Sequence, residues 1–381
     1  MANSVDTSVN TSGASSTNVA GGNGAAGAPF VQVRDIEKWY PHKTGKLLAG
    51  AKGERSWVKA VGGVSFDLAR GEVLGVIGES GCGKSTLGRI LCRLEEPTSG
   101  DVFIDGASTS DMIKKDFRAF RRTVQMIFQN PFDTFTPRDT IGEILVRPLK
   151  IHGIGANDEE RRSMCLDALE KGGLHPAEDI MGRFPHELSG GQLQRVSIIR
   201  SMSLGPRLVI ADEPVSMLDI SVRADIINML LDASRDRGNA MVFISHDIAI
   251  TRNVSDFIAV MYLGRIVEYG SADDVVMNPQ HPYTQALISN CSSIDPDDIG
   301  TPIPIQGEPP TPVDPGPGCY FAPRCPKACE RCLAQYPERV ELGDGHYACC
   351  WFAAPGQASE SAAAEPAADE SNEQSSEEDV K

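Results

Sequence analysis

LGVIGESGCGKSTLGRIL, residues 74–91, decides how this chain is read. It begins as an apolar strand, turns through glycines and continues as a helix with an apolar face. Within it, Gly78-x-x-x-x-Gly83-Lys84-Ser85 is a complete phosphate-binding pattern. The backbone of Gly78, Glu79, Ser80, Gly81, Cys82 and Gly83 wraps an anion. Successive N–H groups and the helix start at Lys84, Ser85 and Thr86 supply positive potential. Lys84 reaches the β- and γ-phosphates and the Ser85 hydroxyl ligates Mg²⁺. The pattern implies that the chain binds a nucleoside triphosphate.

The chain is 381 residues long, enough for one large domain with extensions or for two domains. Its formal net charge of −16 argues against nucleic acid as a partner. Much of that charge is local, because residues 355–381 hold eight carboxylates against one lysine. No apolar run approaches the roughly 18 residues that cross a bilayer. No Lys or Arg precedes Arg34, so no secretory leader is visible, and an intracellular protein is expected.

Residues 1–29 and 354–381 are Ser-, Ala-, Gly- and Glu-rich, with too few bulky apolar groups to offset chain entropy, and are expected to be disordered. Between them strand-like runs (31–33, 58–68, 124–128, 208–211, 241–245) alternate with helical ones, the pattern of an α/β domain. A polar insertion separates the first two runs at 41–55. Residues 140–205 read as helix-rich. Val222, Ile226, Ile227, Leu230 and Leu231 mark one buried helix face.

The segment Leu208-Val-Ile-Ala-Asp212-Glu213-Pro puts two carboxylates at the C-terminal end of a wholly apolar strand, where α/β sheets present their chemistry. An isolated Asp-Glu pair there is most simply a solvated turn. With a phosphate loop upstream, Asp212 is expected to hold Mg²⁺ and Glu213 to polarise the attacking water. Ser189, Gly190, Gly191 and Gln192 precede an apolar helix, and admit two readings. They are an ordinary cap and turn, or a second anion site at a positive helix end.

With GESGCGKST, Gln129, LSGGQ (188–192), LVIADEP (208–214), SMLD (216–219) and His246 after VFIS in this order, the chain resembles the ATP-binding cassette (ABC) family over residues 30–353. The resemblance implies a phosphate-loop NTPase fold of the α/β class, a RecA-like core with antiparallel β and helical subdomains. It places the cassette at 30–270, its helical part at about 130–205, and a cysteine-rich C-terminal domain at 271–353. It also implies that two cassettes meet head to tail, each ATP lying between one chain's loop and residues 189–192 of the other. Catalysis then falls to Glu213, His246, Gln129 and Lys84, with Mg²⁺ at Ser85, Gln129 and Asp212. Asp219 bridges the two sites, and Tyr40, beside Trp39, stacks on adenine.

Asn278-Pro-Gln-His-Pro-Tyr-Thr resembles the segment after the cassette in the oligopeptide, dipeptide and nickel importers. Arg183-Phe-Pro-His-Glu-Leu looks like the second (F-type) of their two ATPases. Six of the ten cysteines fall within residues 319–350. Clustered thiols in a reducing compartment read as metal or iron–sulfur ligands rather than disulfides, although the spacing does not match zinc C-x₂-C pairs. In this branch the matching cysteines are associated with a [4Fe–4S] cluster, mapping to Cys319, Cys325, Cys332 and Cys350. Cys349 competes with Cys350, and Cys329 is spare. Two departures stand out: Met217 where the family has alanine, and TFTPR at 134–138 in place of SLNPR.

These features imply an ATPase on the cytoplasmic face of the cell membrane. It couples hydrolysis to import through two permease subunits and, indirectly, an extracytoplasmic solute-binding protein. Peptides are the leading cargo and oligosaccharides the alternative. Of other classes, a non-transport cassette protein is disfavoured by the acidity and by a single cassette without a long coiled coil. A redox-sensing module is disfavoured by the intact Lys84, Asp212, Glu213 and His246.

Overall fold

The computed structural model describes residues 29–42, 56–235, 238–291 and 302–354. Both expected tails, apart from residues 29 and 354, and most of the 41–55 insertion lie outside the described residues. Strand β1 (Val31–His42) and β2 (Ser56–Leu68) come first, and β3 (Val73–Ile77) leads into the phosphate loop. Then come β4 (Ser99–Ile104), β5 (Ala107–Ser108), β6 (Val124–Ile127), β7 (Leu208–Asp212), β8 (Ala240–Ile244), β9 (Phe257–Tyr262) and β10 (Arg265–Ser271). Two short strands, β11 (Val340–Gly343) and β12 (His346–Ala348), close the described chain.

Among the described residues these strands build two sheets, β2-β1-β4-β5 and β11-β12-β10-β9-β3-β8-β7-β6. The first is antiparallel throughout. In the second, β9, β3, β8, β7 and β6 run parallel. Every residue of β3, β7 and β8 is buried, as continuous apolar runs covered on both faces must be. Parallel pairing aligns their C-terminal ends, which places the loop after β3, Asp212 and the residues after Ile244 along one edge.

β1 runs far beyond the expected 31–33. Asp35 has a φ of 46° and the β1–β2 register shifts between Val33 and Ile36. Such a bulge breaks the in–out alternation on which a sequence reading depends, although Ile36 is again fully buried. The expected 222–231 helix spans Ile220–Arg235 and buries Ile226, Leu230 and Leu231.

The helix-rich stretch contains Ile141–Ile151, Asp158–Lys171, Ala177–Gly182 and Gly190–Met202. Thr140 and Glu143 form a capping box at the start of the first, and Asn157 caps the second. Ile141, Leu145, Leu169, Leu193 and Val196 meet in a core of their own.

C-terminal to β10, the chain forms helices Ala272–Met277 and Pro282–Ser289 and later returns to the main sheet, where β12 pairs with β10. The joint is polar and closed. Glu268, fully buried, accepts from the N–H groups of Gln280 (2.7 Å) and His281 (2.8 Å) and pairs with His346 Nε2 at 2.9 Å. Burial holds the His281 ring far below the usual histidine range, at about 3, so it stays neutral and accepts the Tyr283 N–H. Removing one member of such a buried set costs roughly 3–5 kcal/mol, because the others are left uncompensated.

Candidate active site

The phosphate loop leaves β3 at Gly78 and enters helix Lys84–Leu91 at Gly83. Both glycines are forced by the protein on the loop's outer side. A Cβ on Gly78 (φ 151°) would lie 2.2 Å from the Met261 carbonyl, and one on Gly83 (φ 104°) 2.2 Å from that of Ala60. No side chain caps the helix, so its first N–H groups are left for a ligand. Ser80 and Gly81 form the exposed tip, and Cys82 is buried beneath it. Lys84 is also buried, its Nζ donating to the carbonyls of Gly78 (2.7 Å) and Glu79 (2.9 Å).

The two carboxylates after β7 take different partners. Asp212 accepts from the Ser85 hydroxyl at 3.0 Å, joining the loop to the neighbouring strand end. Burial raises its carboxyl above the usual range, against the pull of Ser85. Glu213 has a φ of 46°, a left-handed turn, and its side chain has partners of its own. Its Oε2 accepts from Gln129 Nε2 at 3.0 Å and lies 3.4 Å from His246 Nδ1. Glutamine, glutamate and histidine from three different strand ends thus meet at one oxygen.

Tyr40 and Trp39 are neighbours on a strand and therefore face opposite ways. The Tyr40 hydroxyl bonds to Glu95 and faces Thr86 at the start of the loop helix. The Trp39 ring packs under Lys59 Nζ, 5.0 Å from its centroid. The structure thus brings Tyr40, and not Trp39, to the phosphate loop.

Ser189, Gly190, Gly191 and Gln192 lie elsewhere. They line a pocket with Met217 and Asp219 that contains no residue of the phosphate loop. Here the cap reading accounts for the side chains: Ser189 Oγ accepts the Gln192 N–H at 3.3 Å, and Gln192 Oε1 accepts that of Ser189 at 3.0 Å. Met217 is 61% exposed at this pocket.

In the cysteine segment, Cys350 faces Cys319, Cys325 and Cys332, and burial first, then these thiols, push its pKa up to about 11. Cys349 lies near Arg339 and Arg265 as well as Cys319. Cys329, expected to be spare, lies with its sulfur 3.5 Å from that of Cys332. The donor chemistry of the four facing thiols suits iron–sulfur ligation. Among the described residues, however, no three His, Cys, Asp or Glu side chains form a metal-holding group.

Two residues at the loop escaped the sequence reading. The Tyr283 hydroxyl accepts the Glu79 N–H at 2.8 Å, and Arg324 grips the Glu79 carboxylate. Tyr283 stands in the 278–284 segment that resembles the importer branch, and Arg324 directly before Cys325, with nothing local to tie either to position 79.

The ABC transporter family model matches residues 61–216, and that of the oligopeptide/dipeptide transporter C-terminal region matches 267–332. A probable peptide ABC transporter ATP-binding protein of Sinorhizobium fredii is 43% identical over 329 residues, 86% of this chain and 91% of the relative. The chain belongs to the ABC transporter ATP-binding proteins. The dipeptide transport ATP-binding protein DppF of Escherichia coli is 44% identical over 324 residues, 84% of this ABC ATPase and 94% of DppF. The solved dimer of the cassette MJ0796, bound to ADP and Pi, covers 64% of this chain and 98% of its own at 29% identity and a TM-score of 0.55. The chain is therefore an ABC-type ATPase, for which ATP with Mg²⁺ is expected. Among the described residues no helix is long and apolar enough to cross a membrane.

Proposed function

We propose that this chain is the energy-coupling subunit of a peptide importer. It works at the cytoplasmic face of the membrane with two permease subunits, and indirectly with an extracytoplasmic solute-binding protein. One observation carries the ATPase half of the reading: Ser85 and Asp212 meet at 3.0 Å, while Gln129 and His246 meet on Glu213. The peptide cargo follows the names of the relatives and the match of residues 267–332.

Ser85 Oγ and Asp212 Oδ1 are hard oxygen donors at the phosphate loop and fit Mg²⁺, and Gln129, bonded to Glu213, is our third candidate. When bound there, Mg²⁺ would supply charge neutralisation of the triphosphate. Lys84 exchanges the Gly78 and Glu79 carbonyls for phosphate oxygens. Gln129 and His246 fix the Glu213 carboxylate so that it orients water and takes up its proton. Phosphoryl transfer is mostly positioning and electrostatics, so these fixed groups are the catalyst.

The same chain holds Ser189, Gly190, Gly191, Gln192 and Asp219 in a separate pocket. A second cassette, identical or paralogous, supplies them head to tail, and ATP closes the pair. The cassette comprises residues 30–270, and the C-terminal domain, 271–353, extends its sheet. Cys319, Cys325, Cys332 and Cys350 are our candidate iron–sulfur ligands. Anaerobic, iron-supplied purification that yields a colourless protein contradicts that assignment. Purifying the membrane complex through this chain and measuring ATPase stimulation by peptides tests the main reading. Stimulation by sugars alone would move the cargo to oligosaccharides.

A further inference from the structure

Glu79 is held at all three of its polar groups. Its carbonyl accepts from Lys84 Nζ at 2.9 Å, and its N–H donates to the Tyr283 hydroxyl at 2.8 Å. Its two carboxylate oxygens accept from Arg324 Nη1 and Nη2, at 2.6 and 2.9 Å. Lys84 belongs to the loop itself. Tyr283 and Arg324 come from the C-terminal region, 204 and 245 residues away.

The grip is built rather than incidental. The Arg324 side chain is only 6% exposed, and Glu79 25%. Nε and Nη2 of Arg324 also donate to the carbonyls of Gln306 (3.2 Å) and Gly307 (2.8 Å). Beneath it, the rings of Tyr262, Tyr283 and Phe321 pack edge-on or tilted with centroids 4.7–5.3 Å apart. An arginine fork on a carboxylate fixes both charge and orientation.

A carboxylate in a loop that must take a polyanion works against binding unless a cation answers it. We propose that Arg324 is a positioning residue for the phosphate loop, supplied by the C-terminal domain. It neutralises Glu79, while Tyr283 holds the Glu79 backbone. Since Arg324 directly precedes Cys325, the cysteine segment and the nucleotide site share one mechanical and electrostatic joint. The inference rests on the reading of residues 78–86 as the phosphate cradle.

The test is titration of the full chain with Mg-ATP. Arg324→Met should weaken ATP binding roughly 5- to 10-fold, the effect of one uncompensated charge near a partly exposed site. The loss should shrink as salt is raised. Adding Glu79→Gln should abolish the effect, leaving the double variant within about twofold of Glu79→Gln alone. A role confined to docking the C-terminal domain predicts an equal loss in both backgrounds, and that result, or no loss at all, overturns the proposal. Should Arg324→Met fail to fold, Arg324→Lys is compared in the same two backgrounds, with the same outcomes deciding. Lys84→Ala is the control: if it binds ATP as tightly as the parent chain, the cradle reading fails, and the clamp with it.

Discussion

Two glycine-rich turns of this chain each open a helix, and they end differently. The turn before Lys84–Leu91 enters through Gly83, with no side-chain cap and its N–H groups open. The turn before Gly190–Met202 enters through Ser189, whose hydroxyl closes a capping box with Gln192. Around the first gather Lys84, Ser85 and Asp212, with Glu213, Gln129 and His246 close behind. Around the second stand Arg195, Met217, Asp219 and Val222, and none of Lys84, Ser85, Asp212, Glu213, Gln129 or His246. One turn is a nearly complete reaction centre and the other a lid without a floor. The difference is physical support for a site shared between two cassettes.

The sharpest way to test the first turn is Glu213→Gln, which keeps the shape and removes the base. Turnover should fall by roughly 10²- to 10⁴-fold while ATP still binds, as read by phosphate release and equilibrium titration. Normal hydrolysis in this variant would break the assignment of Glu213. Lys84→Ala removes a charge-assisted contact and should weaken ATP binding about 10- to 150-fold.

Asp212→Asn separates function from stability. Because burial raises the Asp212 pKa, its contribution to folding is favourable while it is protonated and is lost as pH rises through its folded value. The variant should lose Mg²⁺-dependent turnover yet melt above the parent at pH 7, and this gap should close as pH falls below about 4. An unchanged melting temperature at pH 7 would show that the carboxylate is not penalised. Smallest in effect, Tyr40→Ala should weaken ATP binding roughly 2- to 12-fold through lost stacking. Trp39→Ala, on the opposite face, should leave it unchanged.

Much of this was legible in the chain. Strands β3 and β8, and β7 up to Asp212, are continuous apolar runs, and a run buried on both faces leaves no ambiguity about its place. Asp212 and Glu213 could be placed at a strand end, but not told apart in geometry. What separates them is their partners, Ser85 for Asp212 and Gln129 with His246 for Glu213, which lie far away in the sequence. The length of β1 was hidden by the bulge at Asp35. The C-terminal domain was the least legible part. Its cysteines drew attention to themselves, while its contacts to the cassette include β12 on β10, ring packing on Tyr262, and the polar pairs Glu268 with His346 and Glu79 with Arg324. Such pairs join positions tens to hundreds of residues apart and leave no period in the sequence.

In the pairing we propose, residues 189–192 serve another chain's nucleotide and not their own. Ser189→Arg tests it most directly, with ATP affinity measured on the isolated chain and turnover on the assembled membrane complex. Unchanged affinity is expected, together with loss of the turnover that depends on this chain's contribution to its partner's site. Lost ATP binding in the isolated chain, or full turnover in the complex, would contradict it.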